Sequence, residues 1–218
     1  HDTIRGKGSY AASVRGVKYL LDARLKVTLN VTLSKLNADH FMEIFKIASG
    51  LGVHRLGFSR LVPSGSGKAI AEKMLSAEEA ASLYKKIFAI ESGKLEIVTG
   101  DPVASQSTIE INYNGNGNIP SGGCAAGISG ITILSDGTLL PCRRLEVPIG
   151  NIRRDSLREV WATSEVLEAL RDKKKYKGRC GNCTRWSDCR GCRAIAFSYS
   201  NIAGESDYLA EDPQCFLR

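Results

Sequence analysis

The sequence predicts an α/β unit built from helix–strand pairs, followed by a smaller α+β unit with a β-hairpin and cysteine-rich loops. Two observations support this division. Apolar residues alternate between helical and strand spacing through the first half of the chain, and all seven cysteines lie beyond residue 123. We therefore place two domains at residues 1–104 and 124–218 and a linker at residues 105–123.

A helix and a strand begin the first unit. Val14, Val17 and Leu21 recur at helical spacing, and apolar residues then alternate with polar ones across residues 27–33. Asn37 follows this strand and is a residue type that caps helices. The pattern predicts a helix, a strand and a second helix starting at Asn37.

The same alternation continues to the end of the unit. A second strand is predicted at residues 56–62, and a capping box from Ser76 to Glu79 predicts a third helix before a strand at residues 95–98. Repeated helix–strand units favour a parallel sheet in an open or barrel arrangement, and 104 residues are too few for a complete barrel. The glycine-rich loop at residues 63–67 is either a ligand contact or a plain surface turn.

The second unit begins after a polar, glycine-rich stretch at residues 114–118, which we interpret as part of the linker. Asp136-Gly137 lies between the apolar runs 131–134 and 138–140, and this arrangement predicts a β-hairpin. Apolar residues at helical spacing then predict one continuous helix over residues 156–170.

The cysteine spacing indicates metal ligation. Two Cys-x2-Cys pairs let neighbouring thiolates reach one metal centre, whereas a disulfide framework would leave one of seven cysteines unpaired. Two tetrahedral zinc sites need eight ligands, and only His1, His40 and His54, all in the other half, could supplement the thiolates. Spacing alone leaves zinc and iron–sulfur open and favours iron–sulfur.

The net charge of +7 lies in one segment. Residues 142–193 contain 14 Lys and Arg against 7 Asp and Glu, so the rest of the chain is neutral. Such a segment is a solvated basic face, a surface for an acidic partner, or a source of positive charge that offsets negatively charged clusters.

The chain begins at His1, which suggests a piece of a longer protein, and no apolar run approaches the ~18 residues of a membrane span. We expect a cytoplasmic protein without a membrane partner.

Several motifs of the second half together resemble the SPASM domain of radical S-adenosylmethionine (SAM) enzymes. They are Cys124-Ala-Ala-Gly, Ser135-Asp-Gly-Thr-Leu-Leu-Pro-Cys142, Ile149-Gly-Asn-Ile152, Ser156-Leu-Arg-Glu-Val-Trp161, the array from Cys180 to Cys192, and Asp212-Pro-Gln-Cys215. His1 to Gly6, with the helix–strand units to residue 104, resembles the C-terminal half of a radical SAM-type barrel. The resemblance thus implies a partial barrel followed by a SPASM domain.

This resemblance also implies two auxiliary iron–sulfur clusters, usually [4Fe–4S]. Its ligand pattern assigns Cys124, Cys142 and Cys192 to the first cluster. The ligands of the second cluster are Cys180, Cys183, Cys189 and Cys215. With three cysteines, the first cluster has an open iron, a bound substrate or a further ligand. The family usually has three residues between the last two array cysteines, and here only Arg190 and Gly191 intervene, which makes Cys192 the least typical ligand.

Enzymes of this family reduce SAM at a third [4Fe–4S] cluster held by a Cys-x3-Cys-x2-Cys motif, which this sequence lacks. We therefore expect the intact protein to be an oxidoreductase or maturase, and this chain alone to be inactive. Auxiliary clusters of the family bind substrate or transfer electrons, which implies a peptide, protein or cofactor-precursor substrate and an electron donor such as a flavodoxin or ferredoxin. Asn30 and Arg5 are candidates for the SAM or substrate cavity.

A zinc-stabilised binding module for an acidic partner or nucleic acid is the alternative to the radical enzyme. Nucleic acid is the less favoured partner, because the aromatic residues among the basic ones are placed as core residues are. The identity of the metal distinguishes the two hypotheses.

Overall fold

The computed structural model describes residues 1–107 and 119–217. The predicted linker stretch at residues 114–118 therefore lies outside the described residues. The elements of the first half are α1 (Asp2–Arg5), α2 (Ser9–Asp22), β1 (Thr28–Leu33), α3 (Phe41–Leu51), β2 (Arg55–Arg60), α4 (Ala77–Phe88) and β3 (Glu96–Thr99).

The first half forms a parallel sheet, as the helix–strand order predicted. Its three strands lie in the order β1-β2-β3, with Leu29 opposite Leu56 and Leu56 opposite Ile97. The sheet and α3 and α4 enclose a core that includes Phe41, Phe58 and Tyr84. Each strand lies within two residues of its predicted ends. The strands end at one edge of the sheet, towards the second half of the chain.

The predicted cap at Asn37 is wrong. The α-helix begins at Phe41, after a short 3-10 turn at Ala38–His40, and the Asn37 side chain caps neither. Its amide oxygen accepts from Ser34 N at 2.9 Å, and its amide nitrogen donates to Thr32 O at 2.9 Å. Asn37 instead closes the turn after β1, because its amide bonds to the nearby backbone more readily there than in a cap.

The capping box at the start of α4 is confirmed. Ser76 Oγ accepts from Glu79 N at 3.1 Å, and the Glu79 carboxylate accepts from Ser76 N at 2.6 Å. Two backbone N–H groups at the helix start are thereby satisfied. This end holds α4 so that Ala80, Leu83, Tyr84 and Ile87 enter the core.

Replacing Ser76 with alanine is expected to lower the free energy of unfolding by about 1 kcal/mol, because Glu79 N loses its acceptor. Urea unfolding of the variant and the wild type measures the change. Ser49→Ala makes the same chemical change at an exposed position inside α3 and should not destabilise the protein. Equal losses in the two variants would contradict the capping role.

The second half contains a small antiparallel sheet. The predicted hairpin is confirmed as β4 (Thr132–Ile133) and β5 (Thr138–Leu140), with Asp136 Oδ1 accepting from Thr138 N at 2.9 Å in the turn. A third strand, β6 (Gly150–Asn151), pairs antiparallel with β5. This strand was not predicted, because two residues carry no alternation.

The predicted continuous helix over residues 156–170 is wrong. The chain forms α5 (Leu157–Thr163) and α6 (Glu165–Arg171), separated at Ser164, which has an extended backbone. Thr163 and Ser164 are poor helix formers whose hydroxyls compete for backbone partners, and Thr163 Oγ1 donates to Glu159 O at 3.0 Å. The break lets the apolar residues of both helices reach one core.

Two further helices, α7 (Gly178–Asn182) and α8 (Arg193–Ile202), flank the cysteine-rich loop. The core of this half also contains Leu61, Val62 and Met74 from the first half. Cys189 in turn packs into the core of the parallel sheet. The two halves are therefore packed through shared apolar side chains.

Within residues 1–107 and 119–217, no helix combines the length and the apolarity needed to cross a membrane.

Candidate metal centre

All seven cysteines are unpaired thiols, and none takes part in a disulfide. Four of them are buried, namely Cys180, Cys189, Cys192 and Cys215; the others, Cys124, Cys142 and Cys183, are half-buried. They come from loops, from α7 and from the residue before α8, and so from several separate parts of the second half. Any contact between these cysteines therefore depends on the tertiary structure.

Cys124, Cys142 and Cys192 line one apolar core. Cys142 follows β5, and its carbonyl accepts from Leu145 N at 2.9 Å in a tight turn. Burial raises the pKa of the Cys192 thiol to about 12, and the nearby Cys124 thiol adds to this rise. The three cysteines thus lie in one apolar core, and Cys124 is near enough to Cys192 to influence its thiol.

Cys180, Cys189 and Cys215 share a second set of contacts. Gln106 Nε2 lies 3.5 Å from both Cys189 Sγ and Cys215 Sγ, so one amide links these two sulfurs. Burial raises the pKa of the Cys189 thiol to about 11. Burial also raises the pKa of the Cys180 thiol, to which the nearby Cys215 contributes.

Cys183 is connected to this set through the backbone of α7. Its N–H donates to Cys180 O at 3.4 Å, in the last turn of the helix. The spacing of Cys180 and Cys183 therefore places them on one helical turn.

The short interval between Cys189 and Cys192 is bridged by two residues with positive φ, Arg190 at 60° and Gly191 at 59°. This left-handed turn lets Gly191 N donate to Cys189 Sγ at 3.4 Å, while Cys192 N donates to Asp212 Oδ2 at 2.7 Å. The two cysteines pack into different apolar cores although only two residues separate them.

Among the residues that the structure describes, no three His, Cys, Asp or Glu side chains lie close enough to hold one metal ion. A tetrahedral zinc ion needs Zn–S distances of about 2.3 Å, which brings its thiolates nearly into contact. A multi-iron cluster instead bonds each thiolate to a separate iron, so its cysteines stand further apart. Zinc and an iron–sulfur cluster thus differ in the spacing that they require of their cysteines.

Buried donors around the cysteines fit the same kind of group. In the described part of the chain, Arg144 Nε, Trp186 Nε1 and Arg193 Nε are buried without an acceptor. Buried N–H groups are normally satisfied, and thiolate-ligated clusters carry negative charge and sulfur acceptors. The residues present therefore fit an iron–sulfur cluster.

A buried ion network joins the parallel sheet to the cysteine-rich half. Arg60, at the end of β2, donates to Asp101 Oδ2 at 2.7 Å and Oδ1 at 2.9 Å, and to Asp212 Oδ1 at 2.9 Å and Oδ2 at 2.8 Å. All three side chains are at most 3% exposed. Burial alone would lower the pKa of Arg60, but Asp212 and Asp101 hold it well above its ordinary value.

Asp212 carries this network to the cysteines. The carboxylate that binds Arg60 also accepts from Cys192 N and, at 2.9 Å, from Gln214 N. Gln214 in turn accepts from Arg60 Nη1 at 3.1 Å and directly precedes Cys215. One buried carboxylate thus binds the backbone at Cys192 and at Gln214, the residue before Cys215.

Among the described residues, neither Asn30 nor Arg5 forms a hydrogen bond or an ion pair with a cysteine. Asn30 is exposed on β1, with its amide over Gly57 of β2, where a Cβ would meet Asn30 Oδ1 at 2.8 Å. Arg5 is exposed at the end of α1. No hydrogen bond or ion pair joins the two among the described contacts.

Gln106, Arg60 and Arg193 are site residues that the sequence reasoning missed. Arg193 directly follows Cys192, and this adjacency was an available signal. Gln106 lies 83 and 109 residues from the cysteines that it reaches, and Arg60 lies 152 residues from Asp212, so no local pattern distinguishes them.

The family comparison agrees with the cysteine geometry. Residues 124–184 match the SPASM model, which describes an iron–sulfur cluster-binding domain. The cysteine-rich half thus carries a SPASM domain.

Curated relatives extend the similarity to the whole chain. The chain is 31% identical to the AdoMet-dependent heme synthase of Methanosarcina barkeri, over 100% of this chain and 64% of that protein. It is 30% identical to the enzyme of the same name from Nitratidesulfovibrio vulgaris, over 99% of this chain and 60% of that protein. The PqqA peptide cyclase of Methylocella silvestris is 28% identical, over 99% and 57% respectively.

Solved structures share the fold. SuiB from Streptococcus suis, bound to S-adenosylmethionine or to the precursor peptide SuiA, matches with a TM-score of 0.65, covering 94% of this chain and 48% of SuiB. The identities are 16% and 17%, so this likeness concerns the fold.

The predicted resemblance is confirmed: the chain carries a SPASM domain and is related to radical SAM enzymes. The chain spans about three-fifths of the length of these curated relatives. None of the comparisons supports a zinc-stabilised binding module.

Proposed function

We propose that this chain binds two auxiliary iron–sulfur clusters, one through Cys124, Cys142 and Cys192 and the other through Cys180, Cys183, Cys189 and Cys215. The observation that carries the proposal is the division of the cysteines into two sets of contacts. Three cysteines line one apolar core, while Gln106 links two of the others. Both clusters are proposed to be [4Fe–4S], which supply one-electron redox chemistry or an iron site for substrate.

The protein around these cysteines supports the proposal in two ways. Buried cationic side chains offset the negative charge of thiolates, and the Arg60–Asp212 pair orients the backbone at Cys192 and Cys215. Such outer contacts fix ligand geometry in metal sites. The first set has only three cysteines, so its cluster has an iron open to substrate or a further ligand.

The intact protein is proposed to be a radical SAM oxidoreductase or maturase, of which this chain is the C-terminal part. Residues 1–104 are the C-terminal half of its barrel, residues 105–123 the linker and residues 124–218 the SPASM domain. SAM and a third cluster belong to the portion that carries the Cys-x3-Cys-x2-Cys motif, and this chain alone is inactive. Asn30 and Arg5 face the SAM or substrate cavity in this proposal.

The proposed substrate is a precursor of a tetrapyrrole- or peptide-derived cofactor. The names of the relatives support both chemistries, since the heme synthases are 30% and 31% identical and the PqqA peptide cyclase is 28% identical. An electron donor such as a flavodoxin or ferredoxin, and a cytoplasmic location, complete the proposal. Modification of a whole protein is the second candidate, as the resemblance to the SPASM-domain family implies.

Anaerobic reconstitution with iron and sulfide tests the cluster assignment. The wild-type chain is expected to bind about eight irons with matching sulfide and to absorb near roughly 400 nm. Cys142→Ala and Cys183→Ala each remove one ligand from a different set. Each variant should retain about four irons, in the cluster whose ligands are intact.

The double variant Cys142→Ala, Cys183→Ala is the matched control and should lose both clusters. Stoichiometric zinc in a colourless protein would contradict the proposal. If each single variant lost all iron, or kept all of it, the two-set partition would be wrong.

A further inference from the structure

Gln106 is held so that its amide nitrogen faces two cysteine sulfurs. It ends the 3-10 segment Pro102–Gln106, and its Oε1 accepts from Phe216 N at 3.2 Å. Because a backbone N–H can only donate, this contact assigns the oxygen end of the amide. The nitrogen end then donates to Cys189 Sγ and Cys215 Sγ at 3.5 Å each.

Arg193 places a buried positive charge beside a third sulfur of the same set. Its side chain is fully buried, and Nη2 lies 3.7 Å from Cys180 Sγ. Nη1 donates to Ala210 O at 2.7 Å and Tyr208 O at 3.2 Å, and the guanidinium lies 4.8 Å from the Tyr176 ring centre. Across residues 1–107 and 119–217, Arg193 forms no ion pair with a carboxylate.

A buried cation without a carboxylate is unfavourable unless another negative group compensates it. Every partner of Arg193 described above is neutral except the sulfur of Cys180, which becomes negative when it ligates a metal. The buried carboxylate of Asp212 acts on Arg193 without pairing with it, so the sulfur of Cys180 is the ionisable group that Arg193 contacts directly.

These donors are concentrated on one set of cysteines. Within the described residues, the side-chain donors to sulfur reach Cys180, Cys189 and Cys215. A backbone donor, Gly191 N, also reaches Cys189. In this part of the chain no hydrogen bond reaches the sulfurs of Cys124, Cys142 and Cys192, although the charge of Arg193 also acts on Cys124.

We propose that Gln106 and Arg193 are positioning residues that raise the reduction potential of the cluster bound by Cys180, Cys183, Cys189 and Cys215. Reduction adds a negative charge to a cluster, so donors to its sulfurs stabilise the reduced state more than the oxidised state. This inference rests on the proposed function and adds to it the residues that set one of the two potentials.

A redox titration of the anaerobically reconstituted chain, followed by electron paramagnetic resonance, tests the inference. Gln106→Leu removes the donor at similar volume, and Gln106→Glu replaces it with a negative charge. Gln106→Leu is expected to shift one of two midpoint potentials to a more negative value, and Gln106→Glu to shift the same one further. Cys142→Ala is expected to lose the first cluster and to keep one redox transition. When Gln106→Leu is combined with Cys142→Ala, the midpoint potential of that remaining transition should shift.

Arg193→Gln should shift the same potential in the same direction. Arg158→Gln, at an exposed position on α5, removes an equal charge from a side chain without a hydrogen bond to sulfur among the described contacts, and should leave both potentials unchanged. Because Arg193 is fully buried and its variant can fail to fold, the two Gln106 variants decide the result.

Iron and sulfide counts taken before each titration separate the two proposals. A wild-type chain that binds no iron overturns the proposed function, and this inference with it. Clusters that load fully but keep wild-type potentials in Gln106→Leu and Gln106→Glu overturn the inference alone. A shift confined to the other cluster also overturns it.

Discussion

Replacing Arg60 with leucine is expected to lower the free energy of unfolding by about 3–5 kcal/mol, the usual loss when one partner of a buried ion pair is removed. Asp101 and Asp212 are at most 3% exposed, and both would keep a buried charge without a counter-ion. Tyr84 OH, which donates to Asp101 Oδ2 at 2.7 Å, cannot replace the guanidinium. Urea unfolding of the reconstituted chain measures the loss.

Arg55→Gln is the matched control for Arg60→Leu. Arg55 lies at the other end of β2, and its ion pair with Glu96 at 2.6 Å is more than half exposed. Exposed pairs contribute about 0–1 kcal/mol, so this variant should unfold almost as the wild type does. Arg60→Lys should be intermediate, because one ammonium cannot bind two carboxylates bidentately. Similar stability of Arg60→Leu and Arg55→Gln would refute the role of the network.

Gly191→Ala is expected to destabilise the protein by about 3 kcal/mol or more and to reduce iron binding by both cysteine sets. Gly191 has a φ of 59°, and a Cβ there would lie 2.6 Å from Asp212 Cβ and 2.7 Å from Arg193 Nη2. These neighbours are buried side chains that the Arg60 network and the α8 contacts hold in place. The turn between Cys189 and Cys192 would have to shift. Urea unfolding and iron counts per chain measure both effects.

Gly204→Ala separates the backbone effect from the steric one. Gly204 also has a positive φ, of 86°, but nothing lies within 4 Å of its added Cβ. The loss there should be about 1 kcal/mol, without a change in iron content. If Gly191→Ala bound iron and unfolded as Gly204→Ala does, close packing at this turn would not matter.

The parts of the fold that sequence predicted correctly depend on local signals. The Ser76–Glu79 box and the Asp136-Gly137 hairpin each need only a few adjacent residues, and both are confirmed. The errors also have local causes, because the polar side chains at Asn37 and Thr163 form competing backbone contacts. Periodicity does not detect that competition.

Only part of the candidate site could likewise be predicted from local sequence signals. Cysteine spacing and motif resemblance identified the SPASM domain and proposed its ligand sets before any contact was known. Gln106 carried no signal, since it lies 83 residues from Cys189 and 109 from Cys215. Arg60 lies 152 residues from Asp212.

Sequence alone therefore identified the SPASM domain, its cysteines and most of the helices and strands, because each depends on residue type and short-range spacing. Only the tertiary structure decided which polar side chains reach the sulfurs and how Arg60 joins the two halves. Those contacts arise when distant segments pack into shared cores, and burial then gives each charge and each N–H group a strong requirement for a partner. The partner that satisfies a buried group can lie far away in the sequence, so no local sequence pattern predicts it.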